Sequence, residues 1–172
     1  MDNSKNYKIE GHELEIRDFT VDDIAPTFHL GEKLFTLNKT PNLYRVWDEY
    51  EVINFFQSDS DHCITAFVDG LYAGFVLGTL IEKRKSEIKY GYLVWIGVDQ
   101  NYKRMGIASR LFEEFKDRMT KNGATTLMID TQADNQAAIE FFKSKGFGSP
   151  QDHVYYSMKT KNHVSGKTGG DK

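Results

Sequence analysis

The chain has 172 residues, 40% of them hydrophobic and 13% aromatic, enough for one domain with a core of its own. Charged residues make up 27% and the formal net charge is −3, which argues against a general nucleic-acid binder. No apolar run approaches the roughly 20 residues of a membrane span, and Met1 to Asn6 lacks the apolar core of a signal peptide.

These bounds set the expectation of a cytoplasmic enzyme or binding domain with no membrane and no nucleic-acid partner. A single cysteine, Cys63, excludes an intrachain disulfide. It lies in an apolar run, His62 to Val68, and reads as a small buried hydrophobe rather than a nucleophile. The five histidines show no metal-ligand spacing, so no metal is expected.

In chain order, residues 1–11 read as a flexible leader. His12 to Arg17 alternates and predicts a first strand. Thr20 is an N-cap before Val21-Asp22-Asp23, and Ile24, Phe28, Leu30, Leu34 and Phe35 share a helix face. Thr36 to Pro41 breaks that helix. A second one is expected over Trp47 to Phe56, with Val46, Tyr50, Ile53 and Phe56 as its stripe. His62 to Val68, Asp69-Gly70 and Leu71 to Ile81 form a hairpin. Ile88 to Val98 is a third strand of the meander, with a bulge expected near Gly97.

A helix is predicted from about Lys103, burying Ile107, Ala108, Leu111, Phe112, Phe115 and Met119 and ending at Asn122-Gly123. Thr125 to Thr131 is a strand, Asn135 to Lys145 a helix and Val154 to Lys159 a last strand. The tail 161–172 reads as disordered. The order predicts a mixed α/β fold, one domain over residues 12–160, with a right-handed crossover making the strands before and after the third helix parallel neighbours.

Two stretches carry chemistry. Tyr102 to Ser109 follows an apolar strand and opens a helix, where unpaired N–H groups and the helix dipole suit a phosphate. Gly106 lets a ligand approach the backbone. A helix start that binds nothing explains this stretch alone equally well. Asn135 to Phe147 is a capped amphipathic helix with Gly146 as its stop, and that reading accounts for most of its residues.

Together the two stretches resemble the GNAT superfamily of acetyl-CoA-dependent N-acetyltransferases. The family's phosphate turn, Gln/Arg-x-x-Gly-x-Gly/Ala, matches Lys103-Arg104-Met105-Gly106-Ile107-Ala108. Its later helix, Asn-x-x-Ala-x-x-Phe/Leu-Tyr-x-x-x-Gly-Phe, matches Asn135, Ala138, Phe141, Phe142, Gly146 and Phe147. The resemblance implies a mostly antiparallel central sheet with helices on both faces and a splayed parallel strand pair. It implies acetyl transfer from acetyl-CoA to a primary amine, of a protein or a small molecule, by direct attack and without a metal.

By that resemblance, N–H groups from Arg104 to Ala108 cradle the pyrophosphate and the Ser109 hydroxyl adds a bond. Lys103 replaces the usual Gln or Arg, keeping a cation but losing a planar fork. Main-chain groups of Ile96 and Val98 run beside the pantetheine arm, and a bulge at Ile96-Gly97 opens the acyl slot. Asn135, Ala138 and Phe142 complete the cofactor side.

The proton-transfer groups depart from the pattern. Phe142 stands where the family often has a tyrosine beside the departing sulfur, and it cannot donate a proton. A glutamate that serves some members as base is replaced by Tyr92, a weak base that can order a water, with Tyr90 extending the chain. Packing explains both tyrosines as well. Asp130 is the nearest carboxylate, with a turn cap as its other reading. The acceptor amine is expected at the first two helices, near Tyr44, Arg45, Trp47, Asp48, Glu49, Glu51, Asp59 and Asp61. Three readings stay open: an enzyme, a non-catalytic coenzyme A sensor, and a nucleotide-phosphate binder lacking the Gly-x-x-x-x-Gly-Lys-Ser/Thr pattern. The amine is not specified, and a homodimer is left open.

Overall fold

The structure, a computed structural model, describes residues 4–35, 46–82, 88–152 and 154. The chain divides into two compact units, Met1–Asn135 and Gln136–Lys172. The first unit holds a six-stranded sheet whose spatial order is the chain order.

Strands β1 (Lys5–Ile9) and β2 (His12–Asp18) form an antiparallel hairpin turned by Glu10 and Gly11, at φ 49° and 90°. The leader expected over residues 1–11 therefore contains a strand. Its polar composition hid the alternation: Asn6 and Lys8 are exposed, while Tyr7 and Ile9 turn inward. Strand β3 (Ile64–Val68) pairs with β2 and, through the Asp69-Gly70 turn, with β4 (Leu71–Glu82). Strand β5 (Lys89–Val98) is antiparallel to β4, and β6 (Thr126–Met128) is parallel to β5, as the crossover predicts.

Helices α1 (Ile24–Leu34) and α2 (Glu49–Asp59) cover one face of the sheet, and α3 (Ile107–Lys121) covers the other. Thr20 caps the short 3-10 turn Val21–Asp23, its backbone N–H and hydroxyl both donating to Asp23 Oδ2 at 2.8 Å. Helix α2 begins later than expected because Asp48 is its cap, accepting from the Glu51 N–H at 2.8 Å. The shift rotates its apolar face. Val46 and Tyr50 are 66% and 68% exposed, and Val52 is buried in their place.

Ile107, Leu111, Phe112, Phe115 and Met119 are buried along α3 as the spacing predicts. They rest on strand glycines. A Cβ on Gly78 would lie 2.3 Å from Phe115, and one on Gly91 2.7 Å from Met119. On the opposite face, Phe75, Leu77 and Trp95 pack with Phe19, Leu30, Val52 and Cys63.

The register of β5 breaks at Val94. Leu77 pairs with Trp95 and Gly78 with Leu93, leaving Val94 as the extra residue. Leu93 therefore shares the α3 face with Gly78, while Trp95 joins Leu77 under α1 and α2. The bulge expected at Ile96-Gly97 is corrected by this register, since Ile96 and Gly97 pair regularly with Val76 and Phe75. Gly97 has another reason to be small: a Cβ there would lie 2.8 Å from Leu34 and 2.9 Å from Phe75.

Four charges tie β1 and β2 to α3. Lys5 bonds Glu114, and Arg118 bonds Glu114 at 3.0 Å and Asp18 at 2.6 Å. The second unit contains α4 (Gln136–Ser144), closed by Gly146 at φ 93° with the Phe147 N–H donating to the Phe142 carbonyl. The break expected over 36–41 lies outside the described residues, as does the tail over 161–172. So does the last strand over 154–159, apart from Val154.

Candidate functional site

Strands β5 and β6 pair only from Tyr90–Thr126 to Tyr92–Met128. β5 continues to Val98, and its bulge at Val94 falls just where that pairing stops. Among the described residues no strand pairs with the β6-side edge of Leu93 to Val98. Its main-chain groups, those of Ile96 and Val98 included, form the kind of strand edge to which an extended ligand hydrogen-bonds as a strand would.

The segment leaving β5 builds the second part. The Asp99 side chain accepts from the Asn101 N–H at 2.9 Å, starting a 3-10 turn over Gln100–Tyr102. Lys103 to Gly106 forms a further turn, and α3 starts at Ile107, four residues later than the sequence suggests. Arg104 and Gly106 both take left-handed conformations, at φ 68° and 75°. Left-handed residues alternating with Met105 bring successive N–H groups to one side, a concavity suited to an anion.

The Arg110 N–H makes a helical bond to the Gly106 carbonyl at 3.1 Å. The N–H groups of Ile107, Ala108 and Ser109 precede it and have no carbonyl within the helix to meet. A Cβ on Gly106 would meet no atom within 4 Å, so the space above the turn is open. Lys103 and Arg104 are exposed at its rim, and Met105, Ala108 and Ser109 are half-buried. The donor set, the cations and the open space fit a pyrophosphate.

Asn135 directly precedes α4, and its amide donates to Thr131 Oγ1 at 3.2 Å. Within the second unit Ala138 is half-buried, and Phe142 is buried between the rings of Phe141 and Phe147, with centroids 5.2 Å and 5.5 Å away.

On β5 the Tyr92 hydroxyl donates to Asp130 Oδ1. This pairing goes beyond the sequence reading, which placed Asp130 nearby and left a turn cap as its alternative. Tyr90 is half-buried on the same strand face. That face is the α1–α2 face: Tyr92 pairs with Thr79, whose hydroxyl donates to Asp59 at the end of α2.

Where the sequence reading expects the acceptor amine, the structure holds an aromatic cluster. Phe35, Trp47 and Trp95 lie with ring centroids 4.8 to 5.3 Å apart. The Trp47 indole donates to the Phe28 carbonyl, and the Trp95 indole to Glu51 Oε1, each at 3.0 Å. The Trp95–Glu51 bond is absent from the sequence reading; the Asp48-x-x-Glu51 spacing was its only trace, and it points to a capping box. Asp59 is bonded to Ser58 as well as Thr79, at the far end of α2 from Glu51. Tyr44 and Arg45 lie outside the described residues.

Cys63 is fully buried, and burial pushes its thiol up to about 12. It offers no nucleophile. No helix among the described residues is long and apolar enough to cross a membrane.

A six-stranded mixed sheet, its parallel pair parting beside a bulge and followed by an anion-ready turn, defines a fold of the acetyltransferase kind. The profile of the Acetyltransferase (GNAT) family matches residues 31–147, and the chain belongs to that family. N-alpha-acetyltransferase 30 of Schizosaccharomyces pombe is 33% identical over 57 residues, which are 33% of this chain and 38% of that protein. The ribosomal protein bS18-alanine N-acetyltransferase of Escherichia coli is 40% identical over 52 residues, 30% of this chain and 35% of that protein. The match thus spans little more than a third of the length of these curated relatives. Among solved structures, the aminoglycoside N-acetyltransferase AAC(6')-Iy in complex with CoA superposes with a TM-score of 0.69 at 18% identity, over 89% of this chain and 99% of that one. At that identity the likeness is one of fold.

Proposed function

We propose that this protein transfers an acetyl group from acetyl-CoA to a primary amine. The observation that carries the reading is one continuous segment: β5 loses its β6 partner at the Val94 bulge, and eight residues after Ile96 the chain enters the turn at Arg104 and Gly106. A thioester seat and a pyrophosphate seat then lie along one ligand. Family membership and a fold shared with a CoA complex support it.

In this reading the N–H groups from Arg104 to Ala108, with Ser109, hold the pyrophosphate, and Lys103 and Arg104 supply positive charge. The Ile96 and Val98 main chain orients the pantetheine arm and aims an N–H at the thioester oxygen. By the family resemblance alone, Asn135, Ala138 and Phe142 are cofactor residues too. Acetyl-CoA supplies the activated acyl group.

The acceptor nitrogen bonds to the acetyl carbon as the carbon–sulfur bond breaks. The ammonium proton passes through the Tyr92 hydroxyl, whose own proton moves to Asp130 and then to water; Tyr90 extends the polar path. Phe142 gives no proton, so sulfur leaves as thiolate and is protonated by solvent. The acceptor is a protein or small-molecule amine, and the setting is cytoplasmic. Thiol release from acetyl-CoA with an amine panel tests the proposal. Sustained amine-dependent release is the expected result, and none with any amine would sink it.

Phe142, in the place of a tyrosine, favours a second reading, a coenzyme A sensor that binds without turnover. Acetyl-CoA binding with no thiol release from any amine would select it.

A further inference from the structure

The Glu51 carboxylate is in an unexpected place. Asp48-x-x-Glu51 has the spacing of a capping box, in which Glu51 would bond back to the Asp48 N–H. Asp48 does its half, accepting from the Glu51 N–H. The Glu51 side chain instead reaches the sheet and accepts from the Trp95 indole at 3.0 Å. A helix N-terminal carboxylate is thus held against β5 one residue beyond the bulge.

Trp95 and Tyr92 share the α1–α2 face of β5, on either side of that bulge. With Val94 as the extra residue they stand opposite Leu77 and Thr79, two strand positions and about 7 Å apart. The Tyr92–Asp130 pair and Glu51 are therefore two carboxylate-bearing points joined to one face of β5, at strand positions about 7 Å apart. Bonding to Trp95 occupies Glu51 Oε1 and leaves Oε2 as an acceptor.

Resting on the acetyltransferase reading, we propose that Glu51 is a specificity-determining residue: it binds a second cationic centre of the acceptor while the reacting nitrogen sits at Tyr92. The acceptor class this selects is an amine with another positive charge a few carbons away, an α,ω-diamine being the simplest. Trp95 is the positioning residue that fixes the carboxylate. Packing of the Trp95 ring against Trp47 and Phe35 holds the indole, and with it the carboxylate, in place.

The test compares 1,5-diaminopentane with n-pentylamine as acceptors for the full chain, wild type against Glu51→Gln. Gln keeps an oxygen for the Trp95 indole and removes only the charge. The wild type should prefer the diamine by about tenfold in kcat/KM, and E51Q should bring the ratio close to one, chiefly through KM for the diamine. The same ratio in both proteins overturns the inference. Should neither amine turn over, calorimetry of 1,5-diaminopentane into the protein saturated with coenzyme A replaces the rates. Binding by wild type about tenfold tighter than by E51Q supports the inference, and equal or absent binding overturns it. Failure of the wild type to bind acetyl-CoA overturns the acetyltransferase reading and this inference with it.

Discussion

The Tyr92 hydroxyl donates to Asp130 Oδ1, joining the middle of β5 to the segment after β6 beside the place where those strands part. A hydroxyl bonded to an exposed carboxylate at that point is a route for a proton to solvent. Tyr92→Phe and Asp130→Asn are each expected to lower kcat about a hundredfold while acetyl-CoA affinity holds. The double variant should be little worse than either single one, because the pair acts as a unit. Thiol-release kinetics check this, and full turnover in both single variants would exclude the relay.

Gly31 in α1 exists for Trp47. A Cβ there would lie 2.0 Å from the indole ring, which stacks on Phe75 at 5.5 Å. Alanine in a helix is better than glycine by about 1 kcal/mol, but displacing a packed indole costs about 3 kcal/mol. Gly31→Ala should therefore destabilise by about 2 kcal/mol and shift tryptophan fluorescence to the red. A thermal melt reads the first, and a raised Tm would contradict the packing described.

Glu114 sits between Lys5 and Arg118 with its side chain 6% exposed. Burial pushes its carboxyl up, but hydrogen bonds from Lys5 and Arg118 outweigh burial and hold it below its ordinary 4.5. A depressed carboxyl contributes stability that is full above the unfolded value and lost as pH falls through the folded one. Lys5, raised above 10.5 by its bond to Glu114, contributes below that value and loses its part as pH rises beyond it. Glu114→Ala should cost about 3 kcal/mol at neutral pH, and less as the medium becomes acidic. Denaturant titrations across pH measure it; a cost independent of pH would refute the assignment.

Cys63 is sealed beneath α2, donating weakly to the Asp59 carbonyl at 3.3 Å. With its thiol pushed up to about 12, almost no thiolate exists at neutral pH. Iodoacetamide should leave the native protein unlabelled and react on unfolding. Cys63→Ala should keep turnover and lose about 1 kcal/mol of stability. Rapid native labelling would show that the site opens.

The parts of this molecule that sequence shows best are those with a local cause. The α3 stripe, the Asp69-Gly70 hairpin and the Gly146 stop follow from periodicity and turn chemistry within a few residues. Strand β1 escaped because two lysines and an asparagine masked its alternation. The Val94 bulge escaped because register belongs to a pair of strands, and Gly97 drew attention for a packing reason. The left-handed Arg104 has no compositional sign at all, since arginine rarely adopts that conformation. The turn at Gly106 was legible because its left-handed backbone calls for glycine at a fixed place. The Tyr92–Asp130 and Trp95–Glu51 bonds join residues 38 and 44 positions apart, and no local pattern encodes them.

In the proposed function acetyl-CoA lies over the turn at Gly106. Gly106→Leu puts a side chain into space open to 4 Å, at a φ of 75° that costs a non-glycine residue about 1 kcal/mol. Calorimetric titration with acetyl-CoA, with a thermal melt of each protein, is the direct measurement. Wild type should bind, and the leucine variant should stay folded and lose binding at least a hundredfold, about 2.7 kcal/mol. A folded leucine variant with unchanged affinity would place the pyrophosphate elsewhere and contradict the central claim.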